Sequence, residues 1–64
     1  MVKAVEYYLL AANRGDAPAA FSLGECYELG NGVEKDLTKA LEWYRIGAEL
    51  SDEDAQKKVQ ELTK

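Results

Sequence analysis

The strongest constraint on this chain is an internal repeat. The segment 3–8 reads K-A-V-E-Y-Y, and the segment 39–44, which begins 36 positions later, reads K-A-L-E-W-Y. At the same spacing, Asp16 matches Asp52. A period of this length is typical of solenoids built from pairs of helices. We therefore expect stacked helices, each packed mainly on its neighbours in sequence.

The first half of the chain predicts two helices. Apolar residues in 2–13 recur at the spacing of one helix face. Gly15 can end this helix in the left-handed conformation, and Asp16 can cap a second helix that has Pro18 in its first turn and runs to about Leu29. The positions expected to face inward are Ala4, Tyr7, Tyr8, Ala11 and Ala12 in the first helix, and Ala19, Leu23, Cys26 and Tyr27 in the second.

The second half predicts two more helices. Two glycines in the segment 30–32 favour a tight turn, and Asp36 can then cap a third helix over residues 37–50. A fourth helix follows Asp52, with acidic residues in its first turn and lysines later, which suits the helix dipole. The inward positions are Ala40, Trp43, Tyr44, Gly47 and Ala48 in the third helix, and Ala55, Val59 and Leu62 in the fourth. Because its apolar face is narrow, we expect the fourth helix to be a terminal cap.

Composition narrows the classes of partner. The 64 residues contain eight Lys or Arg against twelve Asp or Glu, for a net charge of −4. The basic residues are scattered, so we expect neither nucleic acid nor an anionic membrane surface as a partner. One cysteine, the lack of a signal-peptide pattern and the lack of a run of about 20 apolar residues favour the cytoplasm.

A spaced pattern of small, aromatic and charged residues occupies positions 19–48. It reads A-x-x-x-L-G-x-x-Y-x-x-G-x-G-V-x-x-D-x-x-K-A-x-x-W-Y-x-x-x-A. This pattern closely resembles the Sel-one-like repeat (SLR) family, a relative of the tetratricopeptide repeats. The resemblance implies an all-α fold of antiparallel helix-turn-helix repeats that form a short right-handed α-solenoid of four helices. It divides the single domain 1–64 into the second helix of a partial repeat (2–15), one complete repeat (16–51) and a C-terminal capping helix (52–64).

The resemblance implies a non-catalytic scaffold, since proteins of this family typically act as adaptors that assemble protein complexes. The residues agree with that interpretation. The chain has no histidine to act as a base for Cys26. The adjacent acids 52–54 are explained by helix capping, and the glycine pair in 30–32 lacks the Gly-Lys-Ser/Thr of a phosphate loop. We predict no catalytic residue, no metal site and no cofactor.

Two surfaces are candidates for binding. The side of the second helix away from the core is expected to face a partner protein or peptide through Phe21, Ser22, Glu25 and Glu28. The alternative for these residues is a merely solvated helix face. An apolar strip, suited to self-association in a natural or engineered homodimer, is expected from Leu9, Leu10, Ile46 and Leu50. The alternative for this strip is ordinary packing within the chain.

One link departs from the family pattern. The family prefers glycine after the second helix of a repeat, and Gly15 follows this preference, whereas Ser51 stands at the equivalent position one period later. A left-handed residue other than glycine costs on the order of 1 kcal/mol. A different turn at the last link is therefore an alternative.

Overall fold

The protein folds into four helices joined by short connections. The computed structural model describes the backbone of residues 2–63 and the side chains of residues 5–63, so the inward position expected for Ala4 lies outside the described side chains. The helices are α1 (Val2–Asn13), α2 (Ala17–Leu29), α3 (Leu37–Glu49) and α4 (Glu53–Leu62). Residues 2–63 contain no strand.

Each helix packs on its neighbour in sequence, α1 on α2, α2 on α3 and α3 on α4. This order of packing is that of a solenoid, in which each element contacts only the elements next to it. The expected fold class, an all-α array of four helices in a short helical solenoid, is confirmed.

Aspartates fix the N-termini of three helices, as the sequence predicted. Asp16, Asp36 and Asp52 each accept a hydrogen bond from the backbone N–H three residues later, at 3.3, 3.1 and 3.0 Å. These bonds satisfy amides that have no partner within the helix. The three helices therefore begin at residues 17, 37 and 53, one position after each cap.

The two links of the repeat have the same backbone conformation. Gly15 has φ 91° and Ser51 has φ 74°, so both residues are left-handed. In each link the following aspartate donates its N–H to the carbonyl five residues earlier, at 3.0 Å, which closes the preceding helix. The alternative of a different turn at Ser51 is therefore wrong, because the capping bonds hold serine in the conformation that glycine adopts at the first link.

Small residues let the helices approach closely, and a few large side chains fill the space between them. A Cβ atom added to Gly24 would lie 2.5 Å from two ring carbons of Tyr44, which is fully buried. A Cβ on Gly47 would lie 3.0 Å from that of Ala55 on the next helix. The buried hydrophobic residues are Val5, Ala12, Ala19, Ala20, Leu23, Ala40, Tyr44 and Ala55.

The inward positions follow the prediction with one clear exception. Tyr7, expected to face inward, is 65% exposed. Its equivalent one period later, Trp43, packs against the core that α1 and α2 form. The difference arises because α3 has close neighbours on two sides, α2 and α4, whereas α1 packs closely only on α2 among the described helices.

Candidate functional site

The four α2 residues predicted to face a partner do not share one environment. Phe21 packs against Tyr44 of α3, with ring centroids 5.5 Å apart, and Glu28 also contacts Tyr44. The structure therefore places these two against α3, and not wholly on the side of α2 away from the core. Ser22 and Glu25 are half-buried and make no hydrogen bond or ion pair with any residue in the described part of the chain.

Glu28 joins three helices. Its carboxylate accepts a hydrogen bond of 2.6 Å from the Tyr44 hydroxyl of α3 and lies 3.4 Å from the Lys58 ammonium of α4. The bond from Tyr44, followed by the nearby charge of Lys58, lowers the pKa of Glu28, although partial burial opposes the shift. The carboxylate is thus held in its charged form, in a fixed position at the junction of α2, α3 and α4.

Tyr44 is the residue that donates the hydrogen bond to the Glu28 carboxylate. Burial raises the pKa of the Tyr44 hydroxyl, and the hydrogen bond to Glu28 raises it further. The Lys58 ammonium also lies 5.9 Å from the centre of the Tyr44 ring, within the range of a cation–π contact. The phenol therefore stays protonated and acts as a donor, which suits a positioning role and not that of a base.

The predicted apolar strip is exposed at three of its four positions. Leu10 is 62%, Ile46 36% and Leu50 39% exposed. Leu9 differs, because it is half-buried and packs against the hydrophobic core. The strip in this structure therefore consists mainly of Leu10 on α1 with Ile46 and Leu50 at the end of α3.

Two grooves were not anticipated from the sequence. One, of about 410 Å³, lies at the α2–α3 turn, where Lys39 sits 5.7 Å from the ring of Tyr27. Its lining mixes Glu34, Lys35 and Asp36, so it has no dominant charge. The other, of about 270 Å³, lies on α1 and is lined by Tyr7, Leu10, Ala11, Arg14 and Asp16. The sequence signal for the groove on α1 is the 36-residue period. It aligns Tyr7 with Trp43, and Tyr7 is exposed in this groove whereas Trp43 is half-buried against the core.

The remaining reactive groups have structural explanations. Cys26 is half-buried against the core, and burial raises the pKa of its thiol, so the neutral form is favoured. Within the described residues, no three His, Cys, Asp or Glu side chains come together in a way that could hold a metal ion. None of the described helices has the length and apolar character needed to cross a bilayer.

Comparison with known proteins gives the family. The Sel1 repeat profile matches residues 1–16 and 17–52. The chain is 43% identical over 60 residues to DAP3-binding cell death enhancer 1 of Rattus norvegicus. The matched region covers 94% of this chain and 12% of that protein. The chain is also 42% identical over 57 residues to chitin synthase regulatory factor 1 of Schizosaccharomyces pombe. The matched region covers 83% of this chain and 12% of that protein.

A third relative is a Sel1-like repeat-containing protein of Schizosaccharomyces pombe, 46% identical over 48 residues, or 75% of this chain and 7% of that protein. The chain thus spans about an eighth or less of the length of these relatives. No solved structure matches it significantly. The profile match over most of the chain, the similarity to these relatives and the observed helix pairs show that the chain belongs to the Sel1 repeat family.

Proposed function

We propose that this chain is a non-catalytic module that binds another protein, and that Ser22 and Glu25 on α2 form the centre of the binding surface. The observation that carries the proposal is that the residues on either side of these two are held by contacts with α3 and α4. Phe21 is held on Tyr44 at one end, and Glu28 is held by Tyr44 and Lys58 at the other. A surface already ordered before binding loses little conformational entropy when a partner docks.

The names of the relatives support protein binding in general. One relative is named for binding DAP3, and another for regulating chitin synthase. Both names describe action on another protein. The chain covers only about an eighth of each relative, so the similarity supports binding to a protein and not to these named partners.

Charge suggests the character of the partner. The chain carries a net charge of −4, and the Glu25 carboxylate has no cationic neighbour within 4 Å among the described side chains. A partner segment with a basic residue opposite Glu25 would gain an ion pair, and a complementary charge would also speed the encounter.

Site-specific crosslinking tests the proposal. A photo-crosslinking amino acid at position 25 should capture a defined protein from extracts of the cells that produce this chain, and Glu25→Lys should abolish capture by a probe placed at position 22. The matched controls are a probe at position 42 and the variant Glu42→Lys, because Glu42 is an exposed glutamate on α3. The proposal is wrong if the probes at positions 25 and 42 capture the same proteins, or if Glu25→Lys leaves capture unchanged.

Self-association through the apolar strip is the second candidate. The exposure of Leu10, Ile46 and Leu50 favours it, since large apolar side chains at the surface can gain by burial in an interface. If the strip forms a dimer, the double variant Leu10→Glu with Ile46→Glu should be monomeric under conditions in which the parent is dimeric. A double variant that runs at the same size as the parent would reject this candidate.

A further inference from the structure

The turn between α2 and α3 holds an asparagine followed directly by a glycine, Asn31 and Gly32. Both residues are exposed, and the Asn31 side chain makes no hydrogen bond within the described part of the chain. Asparagine is one of the thermally labile residues of proteins. It is most labile before glycine, because glycine has no Cβ to hinder the approach of its own backbone nitrogen to the asparagine side chain.

The reaction open to this pair is an intramolecular displacement of ammonia. The Gly32 nitrogen, on loss of its proton, attacks Cγ of Asn31, and the new C–N bond closes a five-membered succinimide ring. The bond from Cγ to Nδ2 breaks, and ammonia leaves with a proton equivalent to the one that the glycine nitrogen lost. Water then adds to one of the two ring carbonyls and reopens the ring, which gives either aspartate or isoaspartate. Water is therefore the only co-reactant.

The backbone of the turn leaves the attacking nitrogen available. Hydrogen bonds fix the turn on both sides, since the Asn31 N–H donates to the Cys26 carbonyl and the Asp36 N–H donates to the Tyr27 carbonyl, each at 2.9 Å. Between them, the Gly32 N–H donates to no acceptor in the residues that the structure describes. The nitrogen therefore has no hydrogen bond to lose before it attacks.

The other asparagine of the chain has the opposite environment. Asn13 is also exposed, but it lies in the last turn of α1 and precedes Arg14, which has a large side chain. The Arg14 N–H donates a hydrogen bond of 3.0 Å to the Ala11 carbonyl. Exposure to water is thus common to the two asparagines, whereas the next residue and the hydrogen bond of its N–H distinguish them.

The turn can accept either product with its flanking hydrogen bonds in place. Isoaspartate adds one carbon to the backbone between Asn31 and Gly32, inside the span that the two flanking bonds enclose. Residues 32–35 make no backbone–backbone hydrogen bond in the described structure, so the longer link can be accommodated there. The new carboxylate would lie at the C-terminal end of α2, where the helix dipole disfavours negative charge.

We propose that Asn31 is a site of spontaneous deamidation in the folded protein, where attack by the Gly32 nitrogen and hydrolysis by water convert it to aspartate and isoaspartate. The conversion adds one carboxylate and takes the net charge from −4 to −5. This inference goes beyond the proposed binding of a protein, because it makes the charge and the backbone of the α2–α3 turn change irreversibly with the age of the molecule.

Mass spectrometry of the intact, folded chain after storage is the test. The chain is kept at mildly alkaline pH for several weeks, shown to remain helical by circular dichroism, and digested at acidic pH, where the reaction is slow. Deamidation raises the mass of the fragment that contains Asn31 by about 1 Da. Fragmentation across the extra backbone carbon distinguishes isoaspartate from aspartate.

A synthetic peptide of residues 27–36, stored in the same way, gives the rate of the reaction without the fold. We expect the folded chain to convert at a rate within a few-fold of that of the peptide, with isoaspartate as the larger product. Conversion at least about tenfold slower in the folded chain would show that the fold protects Asn31. That result would overturn the proposal.

Asn13 in the same sample and the variant Asn31→Gln are the matched controls. Asn13 should stay unchanged, and Asn31→Gln should abolish the mass increase of its fragment, because glutamine would have to close a larger ring. Equal conversion at Asn13 and Asn31 would contradict the role given to Gly32 and its unbonded N–H. A mass increase that persists in Asn31→Gln would arise at another residue and would equally overturn the proposal.

Discussion

Gly24 and Tyr44 fit each other so closely that the position admits no side chain. In the free energy of unfolding, alanine should gain about 1 kcal/mol over glycine from helix propensity alone. The clash with the buried Tyr44 ring should cost more than this, since overpacking typically costs about 1–3 kcal/mol and contacts this short lie at the severe end.

We therefore predict that Gly24→Ala lowers the unfolding free energy by at least about 1 kcal/mol, measured by urea denaturation. Ser22→Ala, at a half-buried position on the same helix, is the control and should be neutral or slightly stabilising. A Gly24→Ala protein as stable as the parent would mean that the α2–α3 approach is looser than described.

Ser51 is the described non-glycine residue with a positive φ. Ser51→Gly should raise the unfolding free energy by up to about 1 kcal/mol, because glycine adopts the left-handed conformation without a Cβ penalty. Ser22→Gly, within α2, should instead lower it by about 0.5 kcal/mol through lost helix propensity. A loss of stability in Ser51→Gly would show that the link is not strained.

Acid should weaken the junction at Glu28. The folded-state pKa of this carboxyl lies below its ordinary value of 4.5, so its contribution to stability is present above that pH and disappears as the pH falls through the lowered pKa. The difference in unfolding free energy between the parent and Glu28→Gln should therefore shrink between pH 7 and pH 3. Glu25→Gln is the control on the same helix, and a difference that stays constant or grows on acidification would argue against the fixed carboxylate.

At the scale of the helix, much of the fold could be predicted from local chemistry. The aspartate caps and the glycine links placed the helices to within a residue, because capping depends on near neighbours in the chain. The third helix ends at Glu49, one residue before the expected end. What local chemistry could not give was the pairing of Glu28 with Tyr44, since the two residues lie 16 positions apart and meet only when α2 and α3 pack.

The exposure of Tyr7 was also hard to predict from local chemistry, because it depends on which helices pack on α1. The helix face of α1 is as apolar as that of α3, and periodicity alone treats Tyr7 and Trp43 alike. Their environments differ because burial depends on the neighbouring helix, and α3 has one more close neighbour than α1 in the described structure. The pattern of apolar residues indicates which side of a helix can be buried. The presence of a neighbouring helix decides whether that side is buried.

This difference between α1 and α3 can be measured at equivalent positions. Trp43→Ala should lower the unfolding free energy by about 3 kcal/mol, because the side chain packs against the core. Tyr7→Ala should cost less than about 1 kcal/mol, since Tyr7 is largely exposed. Equal costs at the two positions would mean that α1 is covered in solution.

For the whole molecule, the two ends of the array have different chemistry. The side of α1 equivalent to the α2-facing side of α3 carries two tyrosines, Tyr7, which is largely exposed, and Tyr8, which is half-buried. On α4, the positions equivalent to those that hold α3 on α2 carry Lys57 and Gln60. We infer that α1 of a second copy would not pack on α4 as α3 packs on α2, because Gln60 would occupy the space that the Tyr8 ring needs, so copies of the chain should not stack end to end.

The proposal that the chain binds other proteins as a monomer is tested most directly by its mass in solution, measured by light scattering after gel filtration over a wide range of concentration. We expect a constant mass near 7.1 kDa, with the Glu25 surface free for another protein. A stable mass of about twice that value, or one that rises steadily with concentration, would contradict it, because the chain itself would then be its own first partner.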